Sequence, residues 1–227
     1  MTANAAGESF VYDAENKQVK YFAAGNANNG TNLPNATYGY DGDGKRVRKT
    51  STSVNALEDT VFVYDAFGKL AAEYNVAPQS NQTASTKYLT TDTLGSPRVI
   101  TNQSGTVESR RDFLPFGEEI ASNVGGRSSV QGYGGDNIRQ KFTGYERDAE
   151  SSLDYAKARM HSYNHGRFTS PDPLLASGKV VNPQTWNRYV YCLNNPLIFN
   201  QIRKAIDSAR KTRPRQMAFN QLSTGQK

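Results

Sequence analysis

Apolar and aromatic residues in the first half of the chain come in short alternating runs, and three times a turn-forming hexapeptide follows. Val61-Phe62-Val63-Tyr64 runs into one such turn, and Lys45-Arg46-Val47-Arg48-Lys49-Thr50 leaves another. Short runs rich in β-branched and aromatic residues, bounded by Gly, Asn and Asp, predict strands. The turns are Tyr12-Asp13-Ala14-Glu15-Asn16-Lys17, Tyr40-Asp41-Gly42-Asp43-Gly44-Lys45 and Tyr64-Asp65-Ala66-Phe67-Gly68-Lys69. Their common form is Tyr-Asp-x-x-(Gly/Asn)-Lys. Asp opens a type I turn by bonding its carboxylate to the amides that follow. Gly44, Gly68 or Asn16 then takes the left-handed conformation that closes a bulged hairpin. One Tyr-Asp before Gly is ordinary turn chemistry, but three in register mark a repeat. Weaker echoes stand at Thr91-Asp92-Thr93-Leu94-Gly95, Gln103-Ser104-Gly105-Thr106-Val107 and Leu114-Pro115-Phe116-Gly117-Glu118. Gly25 to Pro34 and Pro78 to Ser85 read as loops.

Composition agrees with half-buried hairpins. Only 36% of the 227 residues are hydrophobic, yet 13 are Tyr and 10 are Phe. The net charge of +6 first points to nucleic acid or an anionic surface. Its location removes that reading for the body of the chain: from Gln201 onward seven basic residues face only Asp207, whereas residues 1–200 carry twenty of each sign. Nucleic-acid binding would rest on the tail alone. Cys192 is the single cysteine and is expected to be a packed residue. Met1 to Phe10 lack the pattern of a signal peptide and no run is apolar enough to span a membrane, so the chain is expected to be cytoplasmic or exported by a route not encoded in it.

The second half, past a soft boundary in the glycine-rich stretch 132–137, is a dense string of motifs. Phe142-Thr143-Gly144-Tyr145-Glu146-Arg147-Asp148 precedes Leu153-Asp154-Tyr155-Ala156-Lys157-Ala158-Arg159-Met160. Then come Gly166-Arg167-Phe168-Thr169-Ser170-Pro171-Asp172-Pro173, Asn187-Arg188-Tyr189-Val190-Tyr191 and Asn194-Asn195-Pro196-Leu197. Here the sequence resembles the Rhs (YD-repeat) family over roughly residues 10 to 198: YD repeats in 1–131, the repeat-associated core in 132–200, and a basic tail in 201–227. The resemblance implies an all-β fold in which YD-repeat hairpins form part of a spiral, hollow shell, as in bacterial polymorphic toxins, the C component of insecticidal toxin complexes and teneurins. In the toxin members the core plugs one end and a variable C-terminal effector is held inside. The partners implied are the rest of such a shell or an enclosed toxin segment, in a secreted or cell-surface setting, with no cofactor.

In some members of that family the core is also an aspartyl protease that cuts near an Asp-Pro-x-Gly-Leu ending. A carboxylate pair sharing one proton is the chemical requirement. Asp172 matches the family motif, and Arg167 is expected to hold a carboxylate beside it. Gln201 and Ile202 stand where the family has Asp-Pro, and no acid lies between Pro173 and Asn187, so self-cleavage is not expected and Asp172 reads as a turn residue. His161 and His165 have helical metal-site spacing but lie in a segment that reads as strand and turn, so packing or surface roles are expected. No metal or cofactor site is expected.

Ile202, Ala205, Ile206 and Ala209 fall on one face of a short helix that Pro214 would end. The tail is too short for an effector enzyme and reads as a remnant of a broken junction. The leading expectation is a structural shell fragment, truncated relative to the family. The alternative is a binding module in which Tyr38, Tyr40 and Tyr64 stack on a cell-surface glycan.

Overall fold

The computed structural model describes residues 2–26, 30–53, 56–66, 68, 70–75, 86–172 and 181–198. Pro173, the 78–85 loop and the expected tail helix lie outside them. The described chain is all-β, with fourteen strands and a few short 3-10 turns. A seven-stranded antiparallel meander holds β1 (Thr2–Ala3), β2 (Ser9–Tyr12), β3 (Gln18–Phe22), β4 (Ala36–Tyr40), β5 (Arg46–Ser53), β6 (Ala56–Tyr64) and β7 (Leu70–Asn75) in sequence order. A three-stranded sheet follows: β8 (Tyr88–Thr91), β9 (Pro97–Thr101) and β10 (Val107–Arg110). The motif-rich half forms a four-stranded meander of β11 (Glu146–Asp148), β12 (Leu153–Tyr155), β13 (Met160–Ser162) and β14 (Arg167–Phe168).

The repeat turns have the predicted chemistry. Asp13 Oδ1 accepts from the amides of Glu15 (3.0 Å) and Lys17 (2.8 Å), and Asp41 Oδ1 from those of Asp43 (3.0 Å) and Lys45 (2.7 Å). Asn16, Gly44 and Gly68 all have positive φ. In each unit the ladder register slips at the Tyr before the Asp, so that Tyr12 faces Gln18, Tyr40 faces Arg46 and Tyr64 faces Leu70. That slip is the bulge a left-handed closing residue requires. The Asp92 and Asn102 turns repeat the same pair of side-chain bonds, as does an unpredicted turn at Asn4-Ala5-Ala6-Gly7-Glu8. The turn at Leu114-Pro115-Phe116-Gly117-Glu118 keeps the backbone bonds without an acidic opener.

The units also interlock. Tyr40 Oη donates to the Gln18 carbonyl of the preceding unit (2.7 Å), and Tyr64 Oη donates to that of Arg46 (2.8 Å). In the opposite direction Lys17 Nζ donates to the Gly44 carbonyl (3.1 Å), and Lys45 lies over Gly68. A side chain at 44 would meet Lys17 Nζ and Cε at 2.8 and 2.9 Å. Tyr, Gly and Lys therefore recur together because each serves the neighbouring unit as well as its own turn.

Two clusters make the core. Phe10, Tyr21, Ala36 and Tyr38 from the repeat sheet pack with Leu153, Tyr155 and Met160. Leu94, Phe142, Phe168, Tyr191 and Cys192 form the second, which confirms the thiol as a packed residue. The first cluster draws from both sides of the 132–137 stretch, which is itself pinned to the strand before it: Asp136 Oδ2 accepts from Arg111 Nε (2.7 Å) and Ser109 Oγ (2.6 Å).

Replacing Gly44 or Gly105 by Ala separates the turn from the interlock. Both have positive φ, but a methyl at Gly105 meets open space. Each variant should lose about 1–2 kcal/mol from the backbone alone, and Gly44→Ala should lose more as Lys17 is displaced; urea unfolding midpoints at unchanged m-value provide the comparison.

Candidate functional site: the joint between repeat sheet and core hairpins

β5 begins with a charge where a sheet facing a core ordinarily places an apolar residue. Arg46 is fully buried. Its guanidinium lies among the rings of Tyr155, Phe62 and Tyr38, with Cζ 4.4, 5.2 and 5.5 Å from their centroids. Its Nη1 donates to Asp148 Oδ2 (2.6 Å) and its Nη2 to Glu146 Oε2 (2.7 Å). The two acids are two residues apart on β11, so the strand's alternation points both at the same arginine. Arg147 between them faces the other way, forked onto Asp154 (2.7 and 3.1 Å) and stacked 3.6 Å from the Tyr163 ring centroid.

Lys49, three residues further along β5 and on the same face because the ladder slips at Val47, extends the cluster. Its Nζ stands 2.8 Å from Glu150 Oε2 and 3.2 Å from Asp148 Oδ1, and Tyr38 Oη donates to Glu150 Oε1 (2.8 Å). Burial would raise the Asp148 carboxyl, but the flanking Arg46 and Lys49 charges outweigh it and hold the group below the usual aspartate range. Burial likewise opposes the Arg46 charge, yet Asp148 and Glu146 drive it well above its ordinary value. Neutralising either side would strand the other without water. At the rim, Arg139 pairs with Glu58 (2.5 Å) and Glu73 (3.4 Å). Tyr155 completes the contact, its hydroxyl accepting from the Arg46 amide (3.0 Å) and donating to the Gly44 carbonyl (3.3 Å). Lys49 and Glu150 carried no signal in the sequence; their meeting depends on contacts about a hundred residues apart.

The tyrosines expected to stack on a glycan make contacts within the protein. Tyr38 is 5% exposed with its ring against Arg46. Tyr40 packs on Tyr155, and the Tyr40 and Tyr64 hydroxyls are committed to carbonyls of the preceding unit. Tyr38 is thus fixed inward, whereas Tyr40 and Tyr64 are half-buried.

Asp172 lies on the far side of the core hairpins. Arg159 Nη2 is 3.5 Å from its Oδ2, its amide donates to the Arg188 carbonyl (2.9 Å), and Arg188 Nη2 donates back to its carbonyl. The facing arginine is therefore Arg159 and not Arg167. Phe168 is buried beside Tyr191, so alternation along β14 turns Arg167 outward, where it pairs with Ser162 and bridges to Val190. His161 and His165 also part: His161 is buried between Phe168 and Tyr191, and exposed His165 bonds Ser162 Oγ through Nδ1 (2.8 Å). Among the described residues no group of three or more His, Cys, Asp or Glu is placed to hold a metal.

The remaining core-motif residues shape the backbone. Gly144 and Gly166 have positive φ, and a Cβ there would press on the Gly95 carbonyl (3.3 Å) and the Phe116 ring (3.1 Å). Asn187 Oδ1 accepts from the Tyr189 amide, Asn194 has positive φ with its amide bonded to the Tyr191 carbonyl, and the Asn195 amide donates to the Cys192 carbonyl. Pro196 is buried and Pro171 exposed.

These hairpins, turns and core meanders recur in known structures. The chain matches the Photorhabdus luminescens Tc holotoxin pore at a TM-score of 0.59, 17% identity and 86% coverage of this chain. It matches a TcdB2–TccC3 crystal structure at a TM-score of 0.60, 16% identity and the same coverage. The fold is shared with TccC3-containing Tc toxin structures. In sequence the chain is 25% identical over 206 residues to the tRNA3(Ser)-specific nuclease WapA of Bacillus spizizenii, covering 84% of this chain. It spans 8% of that nuclease and 10% of each Tc toxin chain. No family model matches the sequence.

Arg46→Met should cost about 3–5 kcal/mol, because Glu146 and Asp148 are left buried without their cation. Adding Glu146→Gln and Asp148→Asn to that variant should recover part of the loss; denaturant unfolding of the single and triple variants measures both.

Proposed function

We propose that the chain is a piece of the wall of an Rhs/YD-repeat shell with its core segment seated on the last repeats, serving to enclose or deliver a toxin segment. The observation that carries this reading is the interlock: each Tyr-Asp unit is built to receive the next, and the core hairpins are bolted to the same sheet through Arg46. The shared fold with TccC3-containing Tc toxin structures and the similarity to WapA support a toxin-related shell. Its partners are further repeats of such a shell and the enclosed segment.

A wall segment is defined by sheet edges that expect a neighbour. β7 has one partner, β6, among the described strands, and Tyr74 on it is 61% exposed. Unpaired edges of this length drive association. The isolated chain should self-associate with rising concentration in light scattering coupled to size exclusion, and the pair Ala71→Lys, Tyr74→Lys should suppress it. A chain that stays monomeric at every concentration would overturn the wall reading.

The same proposal assigns no catalysis to the chain. The Arg159 ion pair and backbone bonds of Asp172 support a structural role, that of a clasp between β14 and the 182–190 segment. Freshly produced protein should therefore give the intact 25.0 kDa mass. A shorter species that disappears in Asp172→Asn would establish self-cleavage instead.

A further inference from the structure

The joint holds an odd number of buried charges. Arg46 and Lys49 supply two cations, while Glu146, Asp148 and Glu150 supply three carboxylates, each side chain no more than 7% exposed. One carboxylate is thus in excess among side chains closed off from solvent. Surrounding groups do not cancel it. Tyr38 on β4, Tyr21 on β3 and Tyr155 on β12 are held neutral by burial, which raises all three hydroxyls. Glu8 is occupied by the Tyr21 hydroxyl (2.7 Å), and Thr60 on β6 bonds Glu58 and Arg139. Among the described residues the further cation at the joint is Arg139, which faces Glu58 on β6 and Glu73 on β7 at the rim; Glu58 also stands 3.7 Å from Lys49, so it adds an acid to the joint and does not relieve the excess.

We infer that the joint is a proton-loaded latch: Glu150 takes up a proton as the core hairpins seat on the repeat sheet, and loss of that proton loosens the seat. Glu150 is the acid that must carry it, because Asp148 touches both buried cations and Glu146 touches Arg46, whereas Glu150 shares only Lys49. Burial, followed by the neighbouring Asp148 charge, raises the Glu150 carboxyl above the ordinary glutamate range against the pull of Lys49. The sign follows. A carboxyl raised in the folded state binds a proton that the unfolded chain has given up, so its contribution is complete below the ordinary glutamate value and is lost as pH climbs through the folded one. Asp148, held low, works oppositely and loses its contribution only in stronger acid. The latch is tightest in mild acid.

The latch does not depend on what the shell encloses. The test compares melting temperature against pH for the wild type and Glu150→Gln, whose amide keeps the shape and drops the titration. Between about pH 5 and about pH 8 the wild type should lose several degrees, and the variant should lose less. Every other side chain is common to the two proteins, so the difference between the curves reports position 150. Parallel profiles would overturn the latch. Carboxyl-carbon NMR of the unmodified protein gives a second reading that survives a poorly folding variant. Burial also raises the Glu73 carboxyl at the rim, so the resonance has to be assigned: Glu150 should titrate above the normal range, and Glu150 titrating within it would also overturn the latch.

Discussion

A guanidinium with no exposure needs close counter-charges, and Arg46 finds them in groups a hundred residues away. Moving such a charge out of water costs several kcal/mol, which only close counter-charges and well-formed hydrogen bonds offset. Asp148 and Glu146 provide the charges, and the rings of Tyr155, Phe62 and Tyr38 provide faces that a guanidinium tolerates better than aliphatic carbon. The consequence is an obligation running both ways. The repeat sheet without the core hairpins loses the counter-charges of Arg46, and the hairpins without the sheet lose the cation of Glu146 and Asp148. Repeat sheet and core hairpins are stable as one body.

The same economy governs the repeat. Asp closes its own turn through two amides, but Tyr and Lys reach out of the turn to the units on either side. The left-handed glycine does two things at once: it completes the bulge and leaves the space in which the neighbour's lysine lies. A motif whose residues act between units keeps its composition even where loop lengths vary, as they do between β3 and β4 and between β5 and β6.

Turns were legible in the sequence because their causes lie within five residues. Asn4-Ala5-Ala6-Gly7-Glu8 has Asn and Gly at the same offset but no tyrosine before them, so it stands outside the Tyr-Asp pattern. Alternation would also have settled Arg167: Phe168 belongs inside, so its neighbour belongs outside, and Arg159 was left to face Asp172. Arg46 was not legible by any such rule. In Lys45-Arg46-Val47-Arg48 the apolar residue takes the inner face by pattern, yet Arg46 is the fully buried side chain and Val47 is only partly covered. The signal that did exist was the spacing of Glu146 and Asp148, which places two acids on one face of a strand and so asks for a cation. Which cation depends on how two sheets pack, and no local pattern carries that.

Burying a charge pair, when hydrophobic side chains of the same volume would bind as tightly, has its reason in register. Phe10, Tyr21, Leu153 and Met160 supply apolar contact, and apolar contact is non-directional. Those residues alone would let β11 slide along the repeat sheet. The guanidinium fork does not allow it. A shift by one residue would bring Arg147 against Arg46, a like charge in a dry site, and would pull Asp154 away from its own arginine. Aromatic packing brings the core hairpins to the repeat sheet, and the buried ions decide where on the sheet they stop.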